Sequence, residues 1–282
     1  RVRDSAPSFP QPAANPIMPK RDRAIGHWPD RDRCAIEPKL PARHRPDIWR
    51  QPLISITSSR MATKAQENPV LALLRSALGD AAVETSADRL AYFANDVYRG
   101  GAQPLAVIRP ATVEALQEAV RICADAGVAM VPRGGGASYT DAYLAQQAGH
   151  VLFDTGALDP IEIDEFGATV TCGAGVTWAA LKAALDAKGL RTPFWGPYSG
   201  IAATVGGSMS QNSVSHGGTA HGISAQSALS MDVVLANGEV LNTSSSRAMR
   251  FYGPDLTGLF TGDCGIFGIK ARVRLPLLPI LP

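Results

Sequence analysis

The sequence predicts an α+β fold of two lobes, one built on a small parallel β-α-β unit and the other on mainly antiparallel strands with helices. Two patterns in the 282-residue chain support this division. Between residues 105 and 131, an apolar strand-length run, an amphipathic helical segment and a second apolar run follow one another, as in parallel strands joined by a crossover helix. Beyond residue 160 the strands are shorter, and some alternate apolar with charged residues, which favours antiparallel pairing.

The first lobe begins with a helix over residues 70–78, whose apolar side chains fall at helical spacing and which ends at Gly79, a favourable C-terminal cap. A strand is predicted at 105–108. Thr112 stands at the N-cap position of the crossover helix. The buried stripe of that helix is predicted to be Val113, Leu116, Val120 and Cys123. A strand at 128–131 completes the unit, for which we expect a right-handed crossover.

The second lobe carries short strands around one further helix at residues 177–188. The predicted strands of this lobe are 161–164, 168–172, 231–236, 239–242 and 269–275, and a further predicted strand at 151–154 precedes them. The dipeptide Asn237-Gly238 between two of them is a strong β-hairpin signal. In the last strand, Lys270, Arg272 and Arg274 alternate with apolar residues, so we expect all three on one solvent-exposed face.

Residues 1–60 are predicted to be a disordered, non-native leader. They hold 12 Lys and Arg against 6 Asp and Glu, and 10 of the chain's 21 prolines, with no apolar periodicity that could build a core. Met61, followed by Ala-Thr-Lys, fits a natural start. We therefore divide the chain into this leader, an N-terminal helical segment over 61–100, and a main domain over 101–278.

Composition narrows the function classes. The net charge of +2 is the sum of a basic leader and an acidic body, since residues 61–282 hold 15 Lys and Arg against 19 Asp and Glu. Nucleic acid is therefore not an expected partner. No apolar run is long enough to predict a membrane span. The four cysteines are widely spaced and predict neither a metal site nor a disulfide framework, and we expect Cys123 and Cys172 in the core. A cytoplasmic protein is expected, with peripheral association at the inner membrane as the alternative.

A glycine-rich loop directly follows the strand at 128–131. Three consecutive glycines disfavour regular structure, and a backbone without Cβ atoms can present several N–H donors closely to a diphosphate. The alternative is a flexible turn. The loop residues are Pro132, Arg133, Gly134, Gly135, Gly136, Ala137 and Ser138.

A second constellation lies between residues 196 and 222, which contain seven glycines, seven serines or threonines and few charges. This composition favours backbone laid against a large ligand with a polar rim. A disordered linker is the alternative, which the interspersed apolar residues disfavour. The candidate binding residues here are Thr204, Gly206, Gly207, Ser210, Asn212 and Gly222.

A competing signature occurs at residues 173–178, where Gly173-Ala174-Gly175 follows a strand and opens a helix, as a dinucleotide-binding turn does. Trp178 replaces the third glycine, and no acidic residue follows at the distance at which one would bind a ribose. We interpret these two glycines as a structural turn and not as a nicotinamide site.

Taken in order, these segments resemble the FAD-binding (PCMH-type) domain shared by vanillyl-alcohol oxidase, para-cresol methylhydroxylase and the D-lactate dehydrogenase group. The resemblance extends over about 170 residues, and its ordered set of motifs is more specific than any one of them. Its segments are Pro104–Pro110, Arg133–Ser138, Gly173–Thr177, Thr204–Gly207, Leu235–Val240 and Gly262–Ile269.

The resemblance implies FAD as the cofactor. The loop 132–138 would hold the pyrophosphate, residues 204–212 with Gly222 would line the isoalloxazine and ribityl parts, and Ile269 would lie near the adenine or the flavin rim. Some relatives carry in the first loop a histidine that bonds to the flavin, whereas this chain has Ala137. Noncovalent FAD is therefore expected. Asp263-Cys264 replace a Ser-Glu pair common in relatives.

The implied activity is that of an FAD-dependent oxidoreductase acting on the CH–OH group of a small D-2-hydroxy acid of the lactate or glycolate type, by hydride transfer to flavin N5. A C-terminal cap domain of the family, which supplies substrate contacts, is not found in the sequence, so catalytic residues are unassigned and weak turnover is expected. Two arrangements are compatible with this expectation: a homo-oligomer, and a complex with a partner polypeptide that carries the cap. The alternatives are an NADPH-dependent flavoenzyme resembling UDP-N-acetylenolpyruvoylglucosamine reductase, and a truncated, non-catalytic FAD-binding fragment.

Overall fold

A computed structural model of the chain describes residues 68–214, 216–244, 249–251 and 253–281. The predicted leader lies outside the described residues. The helices are α1 Pro69–Leu78, α2 Ala87–Phe93, α3 Val113–Asp125, α4 Trp178–Asp186, α5 Val205–Gln211, α6 Gly218–His221, α7 Ser224–Ser227 and α8 Leu256–Leu259. The strands are β1 Val83–Glu84, β2 Ala106–Ile108, β3 Met130–Arg133, β4 Val151–Asp154, β5 Ile161–Asp164, β6 Thr169–Gly173, β7 Leu190–Arg191, β8 Ser230–Val234, β9 Val240–Asn242, β10 Ile269–Pro276 and β11 Leu278–Pro279.

The first sheet has the strand order β1-β2-β4-β3, with β2, β4 and β3 parallel and β1 antiparallel at the edge. This confirms the predicted parallel strands, and β4 lies between the two strands that α3 connects. Helix α3 starts where expected, since the Thr112 side chain accepts a hydrogen bond from the Ala115 N–H at 3.1 Å. Of the four predicted stripe residues of α3, Leu116, Val120 and Cys123 are buried and Val113 is half-buried.

Both faces of this parallel sheet are covered, as parallel sheets require. Ile108 and Phe153 pack with α1 and α3 on one face, whereas Val107 and Leu152 pack against Phe93 of α2 on the other. The core of the first face continues to Val234 at the end of β8, which joins it to the second lobe. The carboxyl end of β3, where the glycine-rich loop begins, is therefore fixed by a packed core.

The second sheet is antiparallel, with the order β5-β6-β10-β8-β9. The predicted hairpin connects β8 and β9, and Gly238 in its turn has a φ of +77°. Helices α4 and α5 cover one face of the sheet, where Trp178 and Met209 join a buried core with residues of β6, β8 and β10. Together the two sheets confirm the predicted α+β fold with a parallel and an antiparallel lobe.

Strand β10 corrects one expectation. Lys270, predicted on the solvent-exposed face, is buried, while Arg272 is exposed. The reason is a β-bulge: Lys270 pairs with Val233 and Arg272 with Asp232, leaving Ala271 as the extra residue. Because neighbouring residues of β8 point to opposite faces, Lys270 and Arg272 also point to opposite faces.

Candidate cofactor site

The glycine-rich loop leaves β3 with unused hydrogen-bond donors. Among the described residues, no acceptor takes a hydrogen bond from the backbone N–H groups of Gly135, Gly136, Ala137 or Ser138. A backbone N–H group without an acceptor in the protein is usually paired with a ligand or with solvent. Gly136 adopts a φ of +66°, and alternating backbone conformations of this kind turn successive N–H groups toward a shared anion. The loop is therefore suited to hold a diphosphate.

A buried positive charge lies beside this loop. The Arg133 guanidinium lies 4.8 Å from the ring centre of Phe93, 5.2 Å from that of Tyr143 and 5.8 Å from that of Tyr92. A Cβ atom added to Gly136 would displace this guanidinium, and the φ of +66° disfavours any residue other than glycine here. No carboxylate of the described residues forms an ion pair with Arg133, and its Nε has no hydrogen-bond partner. A buried cation without a counter-ion favours binding of an anion.

Tyr143 fixes the shape of the loop from the same side. Its hydroxyl donates a hydrogen bond to the Gly136 carbonyl at 2.9 Å, with the Ser138 carbonyl at 3.4 Å as a weaker acceptor. Burial is the main reason that the pKa of Tyr143 lies above its usual value. The hydroxyl therefore stays protonated and remains a donor.

The two glycine-rich segments meet. A Cβ atom on Gly134 would lie 2.5 Å from Thr204 Oγ1, and one on Gly135 would lie 2.6 Å from the Ala202 carbonyl carbon. Both distances are well inside van der Waals contact. The absence of Cβ atoms at these two glycines thus serves close packing between the loops, in addition to any approach of a ligand.

The second segment contains a helix that the sequence pattern did not predict. Thr204 caps α5, because its side chain accepts a hydrogen bond from the Gly207 N–H at 3.2 Å. Gly206 packs on Ala174, where an added Cβ atom would lie 2.6 Å from the alanine side chain. Asn212 ends the helix with a left-handed φ of +49°. Helix α5 thereby lies between the glycine-rich loop and the antiparallel sheet.

A cleft of about 450 Å³ runs between the loops. This volume is within the range of ligand pockets, about 300–1,000 Å³. Of the fourteen candidate residues, the cleft is lined by Pro132, Arg133, Gly134, Gly135, Gly136, Ala137, Ser138, Thr204, Gly206, Gly207, Ser210, Asn212 and Ile269. Gly222 does not line it; this residue ends α6 with a φ of +78°, and its N–H donates a hydrogen bond to the Gly218 carbonyl.

The competing turn at Gly173 and Gly175 has no room for a ligand. Added Cβ atoms there would collide with the carbonyl groups of Leu158 and Thr155. The two N–H groups are also occupied, since Gly173 donates to Pro160 and Gly175 to Leu158, both at 2.9 Å. These glycines therefore form a structural turn, in contrast to the open donors of the loop 135–138.

Lys270 is a cleft residue that the sequence pattern missed. Its ammonium forms a buried ion pair with Asp263, whose Oδ1 also accepts a hydrogen bond from the Gly265 N–H at 3.0 Å. Burial lowers the pKa of Lys270, and the Asp263 carboxylate works against that shift. Asp263 Oδ2 is buried without a hydrogen-bond partner. In the sequence, only the replacement of the relatives' Ser-Glu pair by Asp263-Cys264 drew attention to the Asp263 end of this ion pair.

The described cleft wall lacks the usual acid–base side chains. Its ionisable residues are Arg133, Tyr139, Tyr143, Cys264 and Lys270, and no described histidine, aspartate or glutamate lines it. Cys123 and Cys172 are buried in the two cores as predicted, and burial raises the pKa of their thiols to about 11 and about 12. Within the described ranges, no cluster of His, Cys, Asp and Glu suited to a metal ion is found, and no helix has the length and apolarity to span a membrane.

Comparison with known proteins identifies the family. The family described as "FAD binding domain" matches residues 104–244, which include both glycine-rich segments. The chain belongs to this FAD-binding domain family. FAD is accordingly the cofactor of the domain, and the donor-rich loop, the unpaired Arg133 and the cleft described above fit such a nucleotide.

Two curated relatives illustrate the similarity. The FAD-binding domain is 32% identical over 196 residues to the glycolate oxidase subunit GlcD of Bacillus subtilis, covering 70% of this chain and 42% of the relative. It is 27% identical over 179 residues to the D-lactate dehydrogenase of Archaeoglobus fulgidus, covering 63% of this chain and 40% of the relative. The chain thus spans about two fifths of the length of these relatives.

A solved structure shows the same fold. The crystal structure of p-cresol methylhydroxylase with substrate bound is similar to this domain with a TM-score of 0.65 and 24% sequence identity. The similarity covers 76% of this chain and 43% of that one. The two-lobed architecture is therefore that of the PCMH-type FAD-binding domain.

Proposed function

We propose that this chain is the FAD-binding part of an oxidoreductase whose donor is a D-2-hydroxy acid of the lactate or glycolate type. The observation that carries the proposal is the cleft in which the unpaired N–H groups of residues 135–138 and the Arg133 cation face one space. The names of the relatives, a glycolate oxidase subunit and a D-lactate dehydrogenase, supply the substrate class.

Within this proposal the thirteen cleft residues bind the cofactor. Residues 132–138 hold the diphosphate through backbone donors, with Arg133 supplying positive charge at the loop. Thr204–Asn212 border the ribityl and isoalloxazine parts, and Ile269 lies at the adenine or at the flavin rim. Ala137 offers no nucleophile, so FAD is held noncovalently. Bound FAD would supply the acceptor for a hydride from the donor carbon, and the protein has to orient that carbon and exclude water.

Oxidation of a hydroxyl group also needs a base for its proton and a cation for the substrate carboxylate. The described cleft wall carries no histidine or carboxylate that could be the base. We therefore expect the isolated 282-residue chain to turn over slowly, with the missing groups supplied by a further domain, a second copy or a partner polypeptide.

The first experiment is an absorbance spectrum of the purified chain reconstituted with FAD. We expect the two visible bands of oxidised flavin, and their full release into the supernatant after acid precipitation. Flavin that remains on the precipitated protein would contradict the noncovalent assignment.

The second experiment is anaerobic bleaching of the bound flavin by candidate donors. D-lactate and glycolate should reduce it, whereas L-lactate and an oligosaccharide, which test the stereochemistry and the need for a carboxylate, should not. Bleaching by NADPH and not by the hydroxy acids would instead assign the chain to the NADPH-dependent flavoenzymes. A flavin that no donor reduces, even when the relatives' remaining domain is added, would leave only the non-catalytic binding role.

A further inference from the structure

The Asp263–Lys270 pair lies at the inner wall of the cleft. Both residues are more than nine-tenths buried, and Lys270 lines the cleft beside Ile269 and Gly268. The bulge in β10 directs Lys270 to the same face of the sheet as Val233, which is the face that α5 covers. A local irregularity therefore places an ammonium group where regular alternation would place it in solvent.

The ammonium has unused donors at this position. A lysine carries three N–H groups. Among the described residues, Asp263 Oδ1 is the one acceptor for Lys270, and Gly265 donates to the same oxygen from its backbone. Burying an ion pair costs desolvation energy, which is recovered only when the remaining hydrogen-bonding capacity is used. The two free N–H groups at the cleft wall thus point to an acceptor that a ligand supplies.

We propose that Lys270 is a further cofactor-binding residue, whose ammonium, anchored by Asp263, donates a hydrogen bond to an acceptor atom on a ring of FAD. This inference rests on FAD occupying the cleft described above. Ring nitrogens and carbonyl oxygens of the adenine and of the isoalloxazine share the acceptor chemistry that the ammonium recognises. Asp263 is the positioning residue, because it fixes the ammonium without lining the cleft itself.

The test uses the double variant D263N/K270M. A single K270M change would leave a buried aspartate without a counter-charge and could unfold the protein. The double variant removes both charges, keeps similar side-chain volumes and retains an oxygen at position 263 for the Gly265 N–H. The matched control is D232N/R272M, which removes an ion pair at 3.8 Å between β8 and β10, neither of whose residues lines the cleft.

FAD affinity is measured by quenching of FAD fluorescence on titration with each folded protein. We expect about tenfold weaker binding by D263N/K270M, equal to about 1.4 kcal/mol, and an unchanged affinity for the control. Competition by ADP and by riboflavin then tells which ring is contacted. A loss of competition by ADP alone assigns the contact to the adenine, and a loss by riboflavin alone assigns it to the isoalloxazine.

Two outcomes separate the failure of this inference from that of the cofactor site. In the first outcome, D263N/K270M binds FAD with wild-type affinity, whereas Gly135→Ala, which displaces the glycine-rich loop, weakens binding. This result would overturn the role of Lys270 and leave the cofactor site in place. An FAD affinity that neither change alters would show that FAD binds elsewhere, and both proposals would fall.

Discussion

The contact between the two glycine-rich segments can be tested by adding one methyl group. In Gly135→Ala, the new Cβ atom would lie 2.6 Å from the Ala202 carbonyl carbon and closer still to its oxygen. Carbon atoms in contact are about 3.5–4.0 Å apart, so backbone must move by about 1 Å. The φ of Gly135 is not in the left-handed region, so backbone strain adds nothing to the effect of this contact.

The expected magnitude follows from two costs. Overpacking a close contact destabilises a protein by about 1–3 kcal/mol, and here neither partner can rotate away, because the new Cβ atom is bonded directly to the backbone and meets a backbone carbonyl. Displacing the loop by about 1 Å also misaligns donors of residues 135–138. The loss of one hydrogen bond to a charged group costs about 1.5–3 kcal/mol, so the dissociation constant of FAD should rise by about one to two powers of ten.

The assay combines thermal unfolding of the apo-protein with an FAD fluorescence titration. Gly218→Ala is the matched control, because Gly218 does not line the cleft and its added Cβ atom would meet only Val214 Cγ1 at 3.8 Å, an ordinary contact. We expect the control to resemble the wild type in both measurements. If Gly135→Ala matched the control in stability and in FAD affinity, the close approach of the two loops would be refuted.

Three further perturbations test individual side chains. Tyr143→Phe removes the hydroxyl that donates to the Gly136 carbonyl, so we expect about 1 kcal/mol of lost stability by chemical denaturation and a several-fold weaker affinity for FAD. Burial lowers the pKa of His150 below 6.5, so the unfolded chain binds the proton more readily than the folded one, and stability should fall as the pH drops below about 6.5. In His150→Gln, unfolding midpoints measured between neutral and acidic pH should depend less steeply on pH. Mass-spectrometric mapping after brief iodoacetamide treatment should find Cys264 labelled and protected by FAD, with the buried Cys172 unlabelled, and equal labelling of the two would contradict the burial of Cys172.

The parallel lobe could be predicted from sequence because its signals are local and agree with one another. An N-cap at Thr112, a stripe at helical spacing and flanking apolar runs all specify the same unit, and α3 begins at Val113 as expected. The glycine-rich loop was identifiable for the same reason, since it directly follows a buried strand. Thirteen of the fourteen candidate residues line one cleft, and the exception, Gly222, is a helix end that composition and the family resemblance had both suggested.

Helix α5 shows the limit of composition. Its segment Val205–Gln211 contains two glycines, two serines and no charged residue, and therefore has little intrinsic tendency to form a helix. A local cap and tertiary contacts provide what propensity does not. Thr204 caps the helix, Val205 and Met209 are buried against the sheet, and Trp178 donates a hydrogen bond to Ser208 at 2.7 Å. Period and composition cannot reveal the tertiary contacts, because Trp178 and the strands of the sheet are distant in sequence from this helix.

Lys270 was missed for a different reason, and that reason bears on function. Strict alternation places residues 270, 272 and 274 on one face, and a single extra residue, Ala271, puts Lys270 on the face opposite Arg272 and Arg274. A bulge in the central strand of the sheet interrupts its ladder of hydrogen bonds, and the fold then has to bury an ion pair at a further desolvation cost. Neither feature improves the core, since an apolar residue in a regular strand would serve better. Their joint presence at the wall of the cleft is understandable if the ammonium serves the bound cofactor.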